Sequence, residues 1–223
     1  MASPLLHPAR YGFAIPDQNT YLPGMAKRFE FARPVTAKAV PAGPQWIHEI
    51  KFDGFRMRVA RDADRVRLFT MNGADWTDRY PWIVEAARRQ KARRFVLDGE
   101  AVVLDVRSYS DFDALISRRH DDEVQLYAFD VLELEGEDLR RLPLSMRKAN
   151  LQRLLARRVD GIQLAPFEAG EIGPDLFRHA CLHGLEGIVS KQLERVYKPG
   201  RCDHWIKSKN PDHPAFRRVR DQF

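Results

Sequence analysis

The chain has 223 residues, 44% of them hydrophobic and 30% charged, which suits a soluble globular protein of one large or two small domains with a sizeable core. Its 37 Lys and Arg against 31 Asp and Glu leave a net charge of +6, compatible with nucleic acid or polyphosphate partners but no proof of either. Two cysteines, Cys181 and Cys202, give neither a disulfide framework nor a zinc site; no apolar run nears the roughly 20 residues of a membrane span, and Pro4, His7, Pro8 and Arg10 break any secretory leader, so a cytoplasmic protein without a membrane partner is expected.

Residues 1–24 are rich in Pro, Gly and Asn and read as an extended lead-in. Residues 25–45, punctuated by Pro34, Pro41, Gly43 and Pro44, read as a surface loop. Trp46 to Ile50 then forms a strand that delivers Lys51 into an Asp53-Gly54 turn. Phe55, Met57 and Val59 alternate with Arg56, Arg58 and Ala60, the pattern of a half-buried strand with two arginines on its open face. Asp62-Ala63-Asp64 turns the chain, and Val66 to Thr70 returns as the hairpin partner. After a second turn at Asn72-Gly73, Pro81 opens a helix on Ile83, Val84, Ala86 and Ala87. Phe95-Val96-Leu97 and Ala101 to Leu104 are two short strands around Asp98-Gly99-Glu100. A short helix over 111–118 is capped by Ser110 or Asp111, and Val124 to Leu134 is a long strand.

Residues 144–158 make a basic amphipathic helix with apolar Leu144, Met146, Leu151, Leu154 and Leu155; a charged helical face of this kind is usually solvated. A strand over Ile162 to Phe167, a helix over 174–183 opened by Pro174, and strands over Gly187 to Leu193 and Trp205 to Lys209 follow. Residues 211–223 read as a basic tail. Hairpins mixed with helices, rather than strict strand–helix alternation, predict an α+β fold of mainly antiparallel sheets flanked by helices.

A lysine at a strand end, beside a glycine that lets a ligand approach closely, suits a covalent nucleophile; it equally suits a surface lysine before a hairpin turn. Asp98 and Glu100 share a strand face, where they could hold a divalent ion or a ribose hydroxyl, or be solvated acids in a turn. Phe129 is a core aromatic or a stacking platform. Glu186-Gly187 and Lys191 set an acid, a glycine and a cation around one strand. Lys207 and Lys209 share one face, as a phosphate requires and a solvated edge tolerates.

Taken in order, K-x-D-G-x-R from Lys51, L-D-G-E from Leu97, Y-A-F-D from Tyr127, E-G-I-V-S-K from Glu186 and W-x-K-x-K from Trp205 resemble the motif set of the ATP-dependent DNA ligase adenylation domain, over Trp46 to Asn210. The segment Asn72 to Pro81 is similar to bacterial ligases of the end-joining repair type rather than to mRNA-capping enzymes. The resemblance implies an ATP-grasp-like nucleotidyltransferase domain over residues 25–210 that ligates DNA in repair and recombination with ATP and Mg²⁺ or Mn²⁺. Lys51 would attack the α-phosphate of ATP, forming lysyl-AMP and expelling pyrophosphate, before AMP passes to the 5′-phosphate of nicked double-stranded DNA.

By the same resemblance, Glu49 would read the adenine edge, and Arg56 would hold the ribose and later the 5′-phosphate. Glu100 would contact ribose or metal, Phe129 would stack on adenine, and Glu186 would help bind the metal. Lys191, Lys207 and Lys209 would neutralise charge on the phosphates, and Ile50 and Val189 belong to the nucleotide-binding set. Family members usually carry an arginine where this chain has Met71 and commonly a serine where it has Cys202. The sequence is expected to lack the OB-fold domain that supplies a final basic motif in complete ligases. That implies work with a separate OB-fold or end-joining protein and, together with Met71, raises the alternative of a module that binds nucleotide or DNA ends without forming an adduct; a second enzyme reading is an RNA ligase.

Overall fold

The computed structural model describes residues 30–216. In chain order its elements are β1 (Ala32–Thr36), β2 (Trp46–Ile50), β3 (Phe55–Asp62), β4 (Arg65–Thr70), α1 (Pro81–Arg89), β5 (Arg94–Val102), α2 (Phe112–Ser117), β6 (Gln125–Leu134), β7 (Glu137–Asp138), α3 (Leu144–Leu154), β8 (Ile162–Leu164), β9 (Phe167–Ala169), α4 (Gly173–Leu182), β10 (Gly187–Gln192) and β11 (Gly200–Lys209). They build two sheets, one ordered β1-β11-β10-β2-β9 and the other β4-β3-β5-β6-β7, with β8 also paired to β6. Pairing is antiparallel except for β1 with β11 and β6 with β8. The mainly antiparallel α+β arrangement matches the expectation from sequence.

Strand alternation decides where the core sits. Met57 and Val59 of β3, Leu97 and Ala101 of β5, and Leu126 and Ala128 of β6 point to one face of the second sheet. There they pack with Ile83 and Ala86 of α1, Leu115 of α2 and Leu151 of α3. Full burial of a side chain such as Leu or Ile contributes about 1.5–3 kcal/mol, so this layer dominates the fold. Ala60, Val96 and Leu132 point the other way and meet Ala32, Cys202 and Trp205 of the first sheet. A cleft lined by Phe129 and Trp205 opens beside this inter-sheet layer.

The helices begin where the sequence signals. Pro81 opens α1, and Arg88 and Arg89 lie in its last turn, where cations offset the helix dipole. Of the two candidate caps for α2, Asp111 is the one used, its Oδ1 accepting from Ala114 N–H at 2.8 Å.

Several expectations are corrected. The segment 25–45 is not all loop, since 32–36 form β1; Pro34 masks the strand, and it is tolerated on this sheet edge, where the pairing register breaks between Pro34 and Val35. Asp98-Gly99-Glu100 is no turn, because β5 runs through it. Gly99 serves close approach instead, as a Cβ there would lie 2.8 Å from the Tyr127 carbonyl oxygen. Arg56 and Arg58 do not face solvent: Arg58 is fully buried on the Phe69 ring, and Arg56 is covered by groups of the first sheet.

The strand expected over 162–167 is two, divided at Ala165-Pro166; β8 pairs in one sheet and β9 in the other. The last strand begins at Gly200 rather than Trp205, its first half hidden by exposed Arg201 and Asp203. Helix α3 stops at Leu154, and its basic face is not solvated: Arg147 and Lys148 are buried, while Met146, assigned to the apolar face, is exposed. The lead-in 1–24 and residues 217–223 of the tail lie outside the described residues. Among the described residues no helix is long and apolar enough to cross a membrane.

Candidate active site

Lys51 leaves the end of β2, anchored by its backbone N–H to the Gly187 carbonyl at 2.9 Å. The pairing of β2 with β10 sets Glu49 opposite Val189 and Ile50 opposite Ile188, and β11 then brings Lys207 opposite Val189 and Lys209 opposite Gly187. Three strands therefore converge their polar ends on one point. The Lys51 Nζ donates to Glu186 Oε2 at 2.5 Å, and Lys209 Nζ stands 3.3 Å from Glu186 Oε1. The side chain of Glu186 is only 5% exposed, that of Lys51 23%; the acid is buried while the amine remains reachable. Burial lowers the Lys207 ammonium, and the positive charges of Lys209 and Lys51 lower it further.

The turn after Lys51 is fixed by packing. A Cβ on Gly54 would lie 2.3 Å from the Ala101 carbonyl oxygen, so only glycine lets this turn lie against β5. That contact carries the chain from the first sheet into the second, and β5 supplies the facing acid. Burial raises the Glu100 carboxyl to about 7, with Lys51 and Arg56 lowering it and Glu186 and Asp98 adding to the rise. Asp98, its neighbour on the same face, is fully buried and already engaged. It receives a bidentate pair from Arg56 (Nε to Oδ1 2.9 Å, Nη2 to Oδ2 2.7 Å) and a hydrogen bond from the Tyr197 hydroxyl at 2.9 Å. Of the two acids that sequence placed at a metal or ribose, only Glu100 keeps its carboxylate available.

Beside Lys51 lies a cavity of about 220 Å³ lined by Glu49, Ile50, Arg56, Met71, Glu100, Phe129, Val189, Lys191, Trp205 and Lys207, with Lys51 in its wall. Phe129 and Trp205 meet edge to face at 6.1 Å. The Arg56 guanidinium lies 5.2 Å from the Phe129 ring centre, and Lys191 Nζ lies 4.1 Å from it. Glu49, 4% exposed, is held by Lys148 on Oε1 and by Lys191 on Oε2 at 2.6 Å. Burial works against its carboxylate, but the two ammoniums outweigh it and keep Glu49 below the usual range. A second cavity, about 440 Å³, opens on the other side of Lys51 and Glu186, between Tyr109, His183 and His213. Lys51 thus stands in the wall shared by two cavities.

Every residue that the motifs assigned to nucleotide or metal lies within this one region. The burial of Lys191 on Glu49 distinguishes it from Lys207 and Lys209, whose exposure is greater. Such a site, aromatic on one side and cationic around a reachable lysine, suits a nucleotide whose phosphate faces the amine.

The sequence profile of the ATP-dependent DNA ligase domain matches residues 23–209. The chain belongs to that family. It is 36% identical over 213 residues to the multifunctional non-homologous end joining protein LigD of Pseudomonas aeruginosa, covering 93% of this chain and 24% of that protein. The ligase domain of Mycobacterium tuberculosis LigD superposes with a TM-score of 0.69 at 32% identity, over 80% of this chain and 60% of that one. A mycobacterial DNA ligase D complexed with ATP superposes with a TM-score of 0.68 at 32% identity and the same coverage. The chain spans about a quarter of the length of the curated LigD relatives it matches.

Two residues at or beside this cavity were not singled out from sequence. Trp205 lies within the last quoted motif, but a tryptophan in a strand carries no mark separating cavity wall from core. Lys148 had no signal, because a lysine on a basic helix reads as solvated.

Proposed function

We propose that this domain, residues 25–210, is the adenylating unit of a DNA ligase that seals nicks in double-stranded DNA, with Lys51 as the nucleophile. The observation that carries the reading is Lys51 itself: a reachable amine between an aromatic-walled cavity and a second open cavity, encircled by Glu186, Lys207 and Lys209. The neutral Lys51 amine attacks the α-phosphorus of ATP. The N–P bond forms as the bond to the bridging oxygen breaks and pyrophosphate departs. Glu186 Oε2, already on Nζ, is the oxygen within reach of the proton that must leave. Lys207 and Lys209 offset negative charge growing on the phosphate oxygens. A 5′-phosphate oxygen of DNA, entering from the wider cavity, then attacks the same phosphorus; the N–P bond breaks, and the departing Lys51 amine recovers its proton. A 3′-hydroxyl finally displaces AMP and closes the strand.

Phe129 and Trp205 frame the adenine, Ile50 and Val189 line its pocket, and Glu49 meets its edge. Arg56 is pre-set by Asp98 and Ala32 at the ribose side, which orients it at the expense of mobility. Glu100 and Glu186 suit Mg²⁺: a carboxyl raised by burial is relieved by a divalent charge, and Mg²⁺ needs only one or two carboxylates when phosphates supply other ligands. Among the described residues no larger cluster of His, Cys, Asp or Glu is placed to hold a metal. Bound there, the ion would add positive charge at the phosphates. End joining is supported as the setting by the names of the relatives.

The test is incubation with α-labelled ATP and Mg²⁺, followed by a nicked DNA duplex or its RNA counterpart. A denaturing gel should show label on the chain, its transfer to the 5′-phosphate of DNA, and no label on Lys51→Ala. Normal labelling of Lys51→Ala, or transfer to RNA in preference to DNA, would overturn the reading.

A further inference from the structure

Lys148 of α3 lies outside all five motif segments, yet it is 3% exposed and bonds Glu49 Oε1. Lys191, 2% exposed, bonds the other oxygen at 2.6 Å. One buried carboxylate therefore serves two buried ammoniums. Glu49 and Lys191 line the cavity beside Lys51; Lys148 is not among its lining residues, and its Nζ stands 4.7 Å from the Phe167 ring centre. The positions are asymmetric: one lysine faces the pocket, and the other backs the acid.

A buried charge is costly unless paired. If Lys191 were the sole partner of Glu49, turning its ammonium toward a ligand would strand the carboxylate. With Lys148 in place, Glu49 stays paired whichever way Lys191 points. We infer that Lys148 is a positioning residue for base recognition, anchoring Glu49 so that Lys191 is released to bond the base. The inference rests on the nucleotide reading above. The Watson–Crick edge of adenine offers an amino donor beside the N1 acceptor. An anchored Glu49 accepts from the first, and Lys191 donates to the second. Hypoxanthine presents the reverse, an O6 acceptor beside an N1–H donor, and a site whose buried groups are fixed rejects the reversed pattern. Burial lowers the Lys191 ammonium to about 8, with Glu49 opposing and the charge of Lys148 adding to the fall.

The experiment compares the wild-type chain, Lys148→Met and Lys148→Arg, titrated with ATP and with inosine 5′-triphosphate by calorimetry. Adduct formation from labelled ATP and thermal melting are followed in parallel. For Lys148→Met, the Kd and KM for ATP should rise about tenfold, the preference for ATP over the inosine nucleotide should collapse, and the adduct rate at saturating ATP should stay within about threefold. Lys148→Arg, which keeps the charge, should restore the preference. A cooperatively melting Lys148→Met with unchanged preference, or with both nucleotides weakened equally, would overturn the inference. If Lys148→Met does not melt cooperatively, Lys148→Gln takes its place with the same expectations. A wild-type chain that prefers ATP but forms no adduct contradicts the covalent reading and leaves this inference standing; one that binds neither nucleotide contradicts both.

Discussion

Glu100 shows how a single position can join stability to function. Burial raises its carboxyl from the ordinary 4.5 to about 7, with Lys51 and Arg56 only partly offsetting this. Between those values the folded chain holds a proton that the unfolded chain has released, so Glu100 makes stability fall as pH rises through that window. Glu100→Gln should remove this dependence. Denaturant melts should find the variant more stable than the parent at pH 8 by about 2 kcal/mol, a figure moderated by the partial exposure of the residue, and equal to it near pH 5. A constant difference at both pH values would contradict the assignment. The place of Lys51, at a strand end before a tight turn, was legible at this scale because the apolar run before it and the Asp-Gly pair after it mark both features. Lys148 was not, because nothing in a helix sequence tells a solvated lysine from one placed under a carboxylate that lies 99 residues earlier.

Among the elements, α3 is bound to the second sheet by more than its apolar side. Arg147 and Asp130 are both fully buried and form a bidentate pair at 2.9 Å, and Arg147 also donates to the Leu142 carbonyl at 2.6 Å. Removing one partner leaves an uncompensated buried charge, so Arg147→Met should cost about 3–5 kcal/mol in a denaturant titration. Arg147→Met with Asp130→Leu should recover much of that loss, and a double variant as unstable as the single one would contradict the account. The helices themselves were legible from Pro81, Asp111 and Pro174, which mark starts by backbone chemistry. Strand β1 was not, since Pro34 argues against a strand unless the strand is known to be an edge. The arginines of β3 looked solvated because a strand sequence records alternation, not which of its faces a distant segment will cover.

For the whole molecule, two sheets meet along a shared layer and leave their polar strand ends around Lys51. Motifs far apart in sequence become one site because β2, β10 and β11 are neighbours in one sheet while β5 and β6 face them from the other. Motif order announced the site, whereas the pairing that builds it depends on contacts between distant strands. The net charge of +6 bears on the proposed DNA partner. Affinity for nicked duplex should fall steeply between about 50 and 200 mM salt as phosphate counterions are released, while ATP affinity changes far less. Salt-independent DNA binding would argue against a backbone-contacting surface.

The central claim is that Lys51 becomes covalently adenylated. Mass spectrometry of peptides from the chain, digested after incubation with ATP and Mg²⁺, tests it most directly. The account expects the AMP mass on the peptide containing Lys51, removed by mild acid as a phosphoramidate should be. AMP on another residue, or no adduct in a chain that measurably binds ATP, would contradict it.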